Sequence, residues 1–324
     1  MKNIFKNNRS MATILKSKEI NIFFGLLGIC LILGIATDTF LTAYNIGTVI
    51  RQVSFIAIVA LGQTLVLLTA GIDLSVGSVA GLSGILVSLF ISEAHFGLPV
   101  MIGVPLALIF GMGMGLINGY LIGRLKLNAF IVTLAMGEVL GGLILVITKG
   151  YPVLELPQSF TFLGQGMVGI IPIPVIIMII VFGIMHYVLM KTPFGRNVYA
   201  AGGNKIAATL AGIKVDLEIM YVYMFSGLFS AMAGILMTSR MNAGQPTMGA
   251  SWVMPSVTAA IIGGTAMSGG EGTLIGTLIG ATFMGILSNG IVLLNISSYW
   301  ERVITGFVVI LAVLLDYFRA KRKN

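Results

Sequence analysis

The sequence predicts an all-α membrane protein, a polytopic bundle of about ten transmembrane helices. Three observations predict it. Of 324 residues, 57% are hydrophobic and only 9% are charged, with a mean hydropathy of +1.03, whereas a soluble domain carries about a quarter charged residues. The apolar residues fall into runs close to the ~20 that a membrane span needs. The connections between those runs hold most of the Lys and Arg. Glycine, at 42 residues, suits backbones that approach closely in lipid. Composition also excludes some chemistry. The single cysteine, Cys30, lies in the first apolar run, so neither a disulfide framework nor a thiol metal site is expected. His95 and His186 stand far apart and recruit no cysteine or acidic cluster, so no metal centre is expected either.

Ten candidate spans follow in order: 20–36, 46–69, 76–93, 98–123, 129–148, 172–190, 217–238, 252–268, 273–294 and 302–317, all within a transmembrane domain of 20–317. Residues 1–19 are basic and lack a small-residue cleavage site, and read as a retained cytoplasmic tail. Residues 318–324 form a second tail. With the N-terminus inside, fifteen of the 19 basic residues lie on one side. They are Lys2, Lys6, Arg9, Lys16 and Lys18; Arg124 and Lys126; Lys191, Arg196, Lys205 and Lys214; and Arg319, Lys321, Arg322 and Lys323. Cytoplasmic connections carry such an excess, so both termini are expected inside. The membrane then explains the net charge of +8, and no nucleic-acid partner is needed. Trp252, Tyr299 and Trp300 fall at outer ends, where aromatic anchors belong.

The most informative stretch is Ala70-Gly71-Ile72-Asp73-Leu74-Ser75-Val76-Gly77-Ser78, set between two uncharged apolar runs. A carboxylate at membrane depth costs roughly 2.5–3.5 kcal/mol even on a mild insertion scale. A chain that keeps one beside helix-breaking residues uses the site, or uses Asp73 and Ser75 to cap the helix starting near Val76. A weak repeat relates the halves: Gly62 and Gly77 recur as Gly234 and Gly249, and Asn118-Gly119 recurs as Asn289-Gly290. The offset pairs spans five apart, so the repeats would be inverted in the membrane, as in many transporters.

The longest outer connection, 149–171, carries Pro152, Pro157, Phe160 and Phe162, and the longest inner one is 191–216. In the latter, Gly202-Gly203-Asn204 leads into Lys205–Ile213, a short helix with Asn204 as N-cap and Gly212 just past its end. A helix of two turns is marginal in water without packing. Ala207, Ala208 and Leu210 therefore read as part of a knob that fits a cleft on a cytosolic partner, or as packing against the membrane domain. The chain has no G-x-x-x-x-G-K-[ST] phosphate loop and no nucleophile–base constellation. It is not read as an enzyme; its energy comes from a gradient or from another subunit.

The chain resembles the ribose-type sugar permeases of bacterial ABC importers from about residue 38 to 317. The matching motifs are Gly62-Gln63-Thr64 running into Gly71–Ser78, Gly195-Arg196, Gly202-Gly203-Asn204 with the Ala207–Gly212 helix, and Ala233-Gly234-Ile235. Further along come Gln245-Pro246, Gly263-Gly264-Thr265 with Gly269-Gly270, and Gly272–Gly276; Glu271 departs from a position that is often basic in the family. The resemblance implies a multi-pass permease of the bacterial inner membrane that carries no cofactor of its own. ATP would be bound by a separate cytosolic ATP-binding subunit docked on the 204–212 coupling helix. A second permease copy, membrane lipid and an extracytoplasmic sugar-binding protein are the other implied partners. The cargo would be a monosaccharide, ribose or a relative. A sugar needs weak polar contacts, so Gln63, Thr64, Asp73, Ser75, Thr133 and Glu138 are pathway candidates, with Ser78, Asn118, Ser288 and Asn289 near them. Glu138 lies mid-span among Gly137, Gly141 and Gly142 and faces a path, or pairs with Arg51 or Arg240. The competing reading is a gradient-driven secondary carrier for a small polar solute, with Asp73 and Glu138 as its ion site.

Overall fold

The computed structural model describes residues 18–321. Its helices are α1 (Lys18–Ala36), α2 (Ala43–Leu68), α3 (Val76–Ile91), α4 (Val100–Gly119), α5 (Ala129–Thr148), α6 (Gln158–Gln165) and α7 (Ile173–Lys191). Then come α8 (Pro193–Gly203), α9 (Lys205–Leu210), α10 (Val215–Met241), α11 (Val253–Ile262), α12 (Leu274–Leu293) and α13 (Ser298–Lys321). A two-residue hairpin, β1 (Met167–Val168) with antiparallel β2 (Ile171–Pro172), interrupts the outer loop, and a π-helical turn, Tyr120–Arg124, extends α4. Helix starts follow local chemistry. Thr42, Asn128, Asn204 and Thr273 each accept a backbone N–H of the first turn, satisfying donors that a helix start leaves unpaired.

The fold is an all-α membrane protein, and the expected count of about ten full spans is not confirmed among the described residues. Among the described residues, six helices are long and apolar enough to cross a membrane: α2, α4 with its π turn, α5, α7, α10 and α12. The expected spans 76–93 and 252–268 shrink to helices of 16 and 10 residues, rising only about 24 and 15 Å at 1.5 Å per residue. The reason is local. Gly263 ends α11, and Gly264 turns the chain at φ +93°. The break Ala70–Ser75, with Ala70 itself left-handed at φ +57°, precedes α3, which starts at Val76 as expected and ends at Ile91, two residues short of the expected span.

Helices α2 and α10 form the centre, α2 being continuously buried from Val53 to Leu68. The packing is duplicated at the spacing of the sequence repeat. Helix α10 packs on α3 and α4, and α2 packs on α11 and α12; α3 carries α5, and α11 carries α13. Gly77 and Gly249, equivalent in the two halves, meet: a Cβ on either would overlap the other's carbonyl oxygen. Thr64 and Thr277 join α2 to α12 at 2.6 Å, and Asn45 and Asn289 exchange amide hydrogen bonds. Trp252 is buried, so it is a core residue rather than an interfacial anchor, whereas Tyr299 and Trp300 are exposed.

Gly77→Val is expected to force the halves apart, at the about 1–3 kcal/mol or more typical of overpacking. Thermal unfolding in lipid nanodiscs should show a lowered midpoint, with Gly183→Ala, which meets no neighbour, unchanged.

Candidate functional site

The break between α2 and α3 exposes backbone groups that no helix satisfies, and side chains from four helices supply their partners. The Asp73 carboxylate is 1% exposed. Its Oδ1 accepts from the Ser75 backbone N–H at 3.0 Å and from Ser75 Oγ at 2.6 Å. Its Oδ2 accepts from Ser226 Oγ of α10 at 2.8 Å. Asn118 of α4 donates from Nδ2 to Ser75 Oγ at 2.9 Å. Gln63 of α2 donates from Nε2 to the Asp73 carbonyl. The Ile72 carbonyl accepts from Tyr223 of α10 at 3.0 Å and from Thr133 of α5 at 3.4 Å. Capping alone does not describe this arrangement, because Ser75 makes no side-chain cap bond and Asp73 reaches across to another helix. Gln63 Oε1 and Asn118 Oδ1 have no hydrogen-bond donor among the described residues.

Five pathway candidates thus lie together: Gln63, Asp73 and Ser75 are directly bonded, Thr133 touches the same break, and Thr64 sits one residue along α2 on Thr277. All five are buried. Glu138 stands apart, exposed on α5. Arg240 bonds instead to Gln52 at 2.9 Å and lies over the Phe55 ring. Ser226 and Tyr223 were not singled out in the sequence. They lie some 150 positions from the break, and nothing local marks them.

The inner loop folds as α8 and α9. Asn204 Oδ1 accepts from the Ala207 N–H at 2.9 Å, and Gly212 turns at φ +85°. Ala208 is buried, while Ile206 and Leu210, one turn apart, are 75% and 84% exposed. Gly203, Ala207 and Gly212 are exposed as well. Helix α8 is fastened by Tyr199 to the Gly272 carbonyl at 2.8 Å and by Asn197 to Glu218 at 2.7 Å. At its end Gly202 presses on the Leu68 carbonyl, which also accepts from the Gly270 N–H at 3.0 Å. No side chain fits there. The α8–α9 unit therefore abuts the last turn of α2, two residues before the break begins. A cavity of about 550 Å³ lies between them, lined among others by Gly71, Ile72, Lys126, Lys205, Thr209 and Tyr223. An ion pair between Arg124 and Asp216 closes the π turn onto α10 nearby.

Residues 45–313 match the family described as branched-chain amino acid transport system / permease component. The ribose import permease RbsC of Bacillus subtilis is 42% identical over 296 residues, covering 91% of each chain. That of Haemophilus influenzae is 39% identical over 305 residues, covering 93% of this chain and 94% of its own. The D-allose transport system permease AlsC of Escherichia coli is 35% identical over 289 residues, covering 89% and 87%. No solved structure matches the chain.

Asp73→Asn and Ser226→Ala should each lower thermal stability by about 1–3 kcal/mol, the cost of unpairing a buried polar group. Unfolding of the single and double variants is expected to show strong coupling, the double losing less than the sum of the two.

Proposed function

We propose, for a chain that belongs to the permease family of ABC sugar importers, that it forms the translocation pathway of an ATP-driven monosaccharide importer and takes its power stroke through α9. One observation carries the coupling. Ile206 and Leu210 form an exposed apolar knob on a two-turn helix, and that helix is anchored through glycine contacts to the broken helix at Asp73. A short apolar knob in water needs a cleft to fill. A separate cytosolic ATPase with such a cleft would press α8–α9 against Leu68 and Gly270. The displacement would then reach the Ala70–Ser75 joint, which hydrogen bonds tie to α2, α4, α5 and α10.

In this reading the chain is a multi-pass protein of the bacterial inner membrane with both termini cytoplasmic, following its Lys and Arg. The duplicated packing is an inverted repeat, and the two halves rock about the Gly77–Gly249 contact to give alternating access. The cavity beneath the break opens on the cytoplasmic side. Gln63, Thr64, Asp73, Ser75 and Thr133 form the joint that opens and closes the path, and Glu138 faces it. Two copies pair, an extracytoplasmic binding protein delivers the sugar, and the chain binds no cofactor. Ribose is the leading cargo because it is named for the relatives at 39–42% identity; the named sugars of other relatives at 28–35%, arabinose, allose and xylose, make the binding protein the selective element.

Reconstitution with the ATPase and a loaded binding protein tests this. Sugar-dependent ATP hydrolysis is expected, and Leu210→Asp should abolish it without changing the amount of folded permease. Substitution of the buried Ala208 is expected to cost folding as well. Uptake that needs a proton gradient and no ATPase would instead establish a gradient-driven carrier.

A further inference from the structure

The cavity of about 550 Å³ beneath the break falls within the ~300–1,000 Å³ usual for small-molecule sites, and its walls are chemically one-sided. It joins the end of α2 and the break to the connection between the π turn and α5, to α9 and to the first turns of α10. Among the described residues, two ammonium groups line it, Lys126 and Lys205, and no carboxylate does. Neither lysine forms an ion pair among those residues. The carboxylates nearest in sequence to its α10 wall are engaged elsewhere: Arg124 holds Asp216, and Asn197 donates to Glu218. Asn128 adds a donor. Its Oδ1 is taken up by the Phe130 and Ile131 N–H groups, which leaves the amide nitrogen to donate outward. Three hydroxyls in the wall are the reverse. Thr69 donates to the Val66 carbonyl at 2.9 Å, Thr209 to the Lys205 carbonyl at 2.8 Å and Tyr223 to the Ile72 carbonyl at 3.0 Å. With its proton spent, each of these oxygens keeps lone pairs that can accept. The cavity thus offers two cations and an amide donor to an anion, and hydroxyl acceptors to hydroxyl donors.

We infer that this cavity binds a small cytosolic phosphate ester, a sugar phosphate, and that the bound ester slows import. The inference rests on the reading of the chain as a sugar permease driven through α9, and adds a regulator to it. A phosphate group accepts hydrogen bonds through several oxygens and carries up to two negative charges, so two lysines and an amide match it. A free sugar has no charge to offer the lysines. The same sugar bearing a phosphate engages both the cationic and the hydroxyl parts of the wall. Phosphoryl transfer from ATP to a hydroxyl of the arriving sugar, releasing ADP and the hydroxyl's proton, makes such an ester. Its level then reports sugar already taken in. Lys205 is the first residue of α9, and Lys126 lies on the connection into α5. An anion between them ties the two together beside the break. It stabilises this arrangement over any in which α9 has moved.

Binding is read on the permease alone, in phosphatidylcholine nanodiscs at low ionic strength, with ribose-5-phosphate, inorganic phosphate and ribose as probes. Ribose-5-phosphate should raise the thermal midpoint, inorganic phosphate should do so at higher concentration, and ribose should not. Lys126→Gln and Lys205→Gln should each weaken binding several-fold, while Lys191→Gln, outside the cavity, behaves as the unaltered chain. Added salt should weaken binding further. In the transporter reconstituted with its ATPase and binding protein, ribose-5-phosphate on the ATPase side should slow uptake several-fold, and the two cavity variants should resist it. Unchanged affinity in both cavity variants, or no midpoint shift in a permease that still imports sugar, would overturn the site. A midpoint raised through these lysines by phosphatidylglycerol in the nanodisc, and not by ribose-5-phosphate, would assign the phosphate to a lipid headgroup and overturn the regulator. Binding by a permease that shows no ATPase-dependent uptake would leave the site standing and overturn the transport reading instead.

Discussion

A buried carboxylate without a cation governs this fold. Asp73 forms no ion pair among the described residues, and burying such a group is costly unless every lone pair finds a donor. Ser75 and Ser226 supply three donors. Two of them are local and stiffen the Ala70–Ser75 break. The third reaches α10, so the break cannot be satisfied unless α10 lies alongside. Gln63, Asn118 and Tyr223 extend the same demand to α2, α4 and the next turn of α10. A polar network of this kind holds a unique arrangement where apolar packing alone would tolerate several.

The network sits at the end of a mechanical train. Gly202 against Leu68 and Gly270 is a backbone-to-backbone contact, and Gly269 lies beside the backbone and the single methyl of Ala70, so no flexible side chain is there to yield. Packed interiors transmit displacement because they are dense and poorly compressible. In the proposed coupling, a push on α9 would reach the break through these contacts. There it meets hydroxyl and amide bonds, which exchange partners more readily than a packed core repacks.

Much of this was legible in the sequence, and what was not has a physical reason. Apolar runs marked all six helices that are long enough to span a membrane among the described residues, because the bilayer demands such runs. Run length did not mark where helices stop. Residues 252–268 read as continuous because Gly263 and Gly264 are as apolar as their neighbours, and only the left-handed turn at Gly264 ends the helix. The short inner helix was readable because Asn204 and Gly212 act within one turn. Its exposed face was only half readable. Leu210 was singled out and Ile206 was not, since which residues point outward depends on how Ala208 packs. Asp73 announced itself by its cost. Its partner Ser226 could not, because one serine on a long helix looks like any other. Trp252 looked like an interfacial anchor and is core, three residues after the left-handed Gly249 turn that meets Gly77.

The most direct measurement is hydrogen–deuterium exchange of residues 68–77 and 202–212 in the complete transporter, in lipid, with the ATPase empty and then trapped with nucleotide. The account requires protection in both segments to change together, with Leu210→Asp abolishing the change at 68–77. Sugar transport that proceeds while exchange at 68–77 stays the same in both states would contradict it.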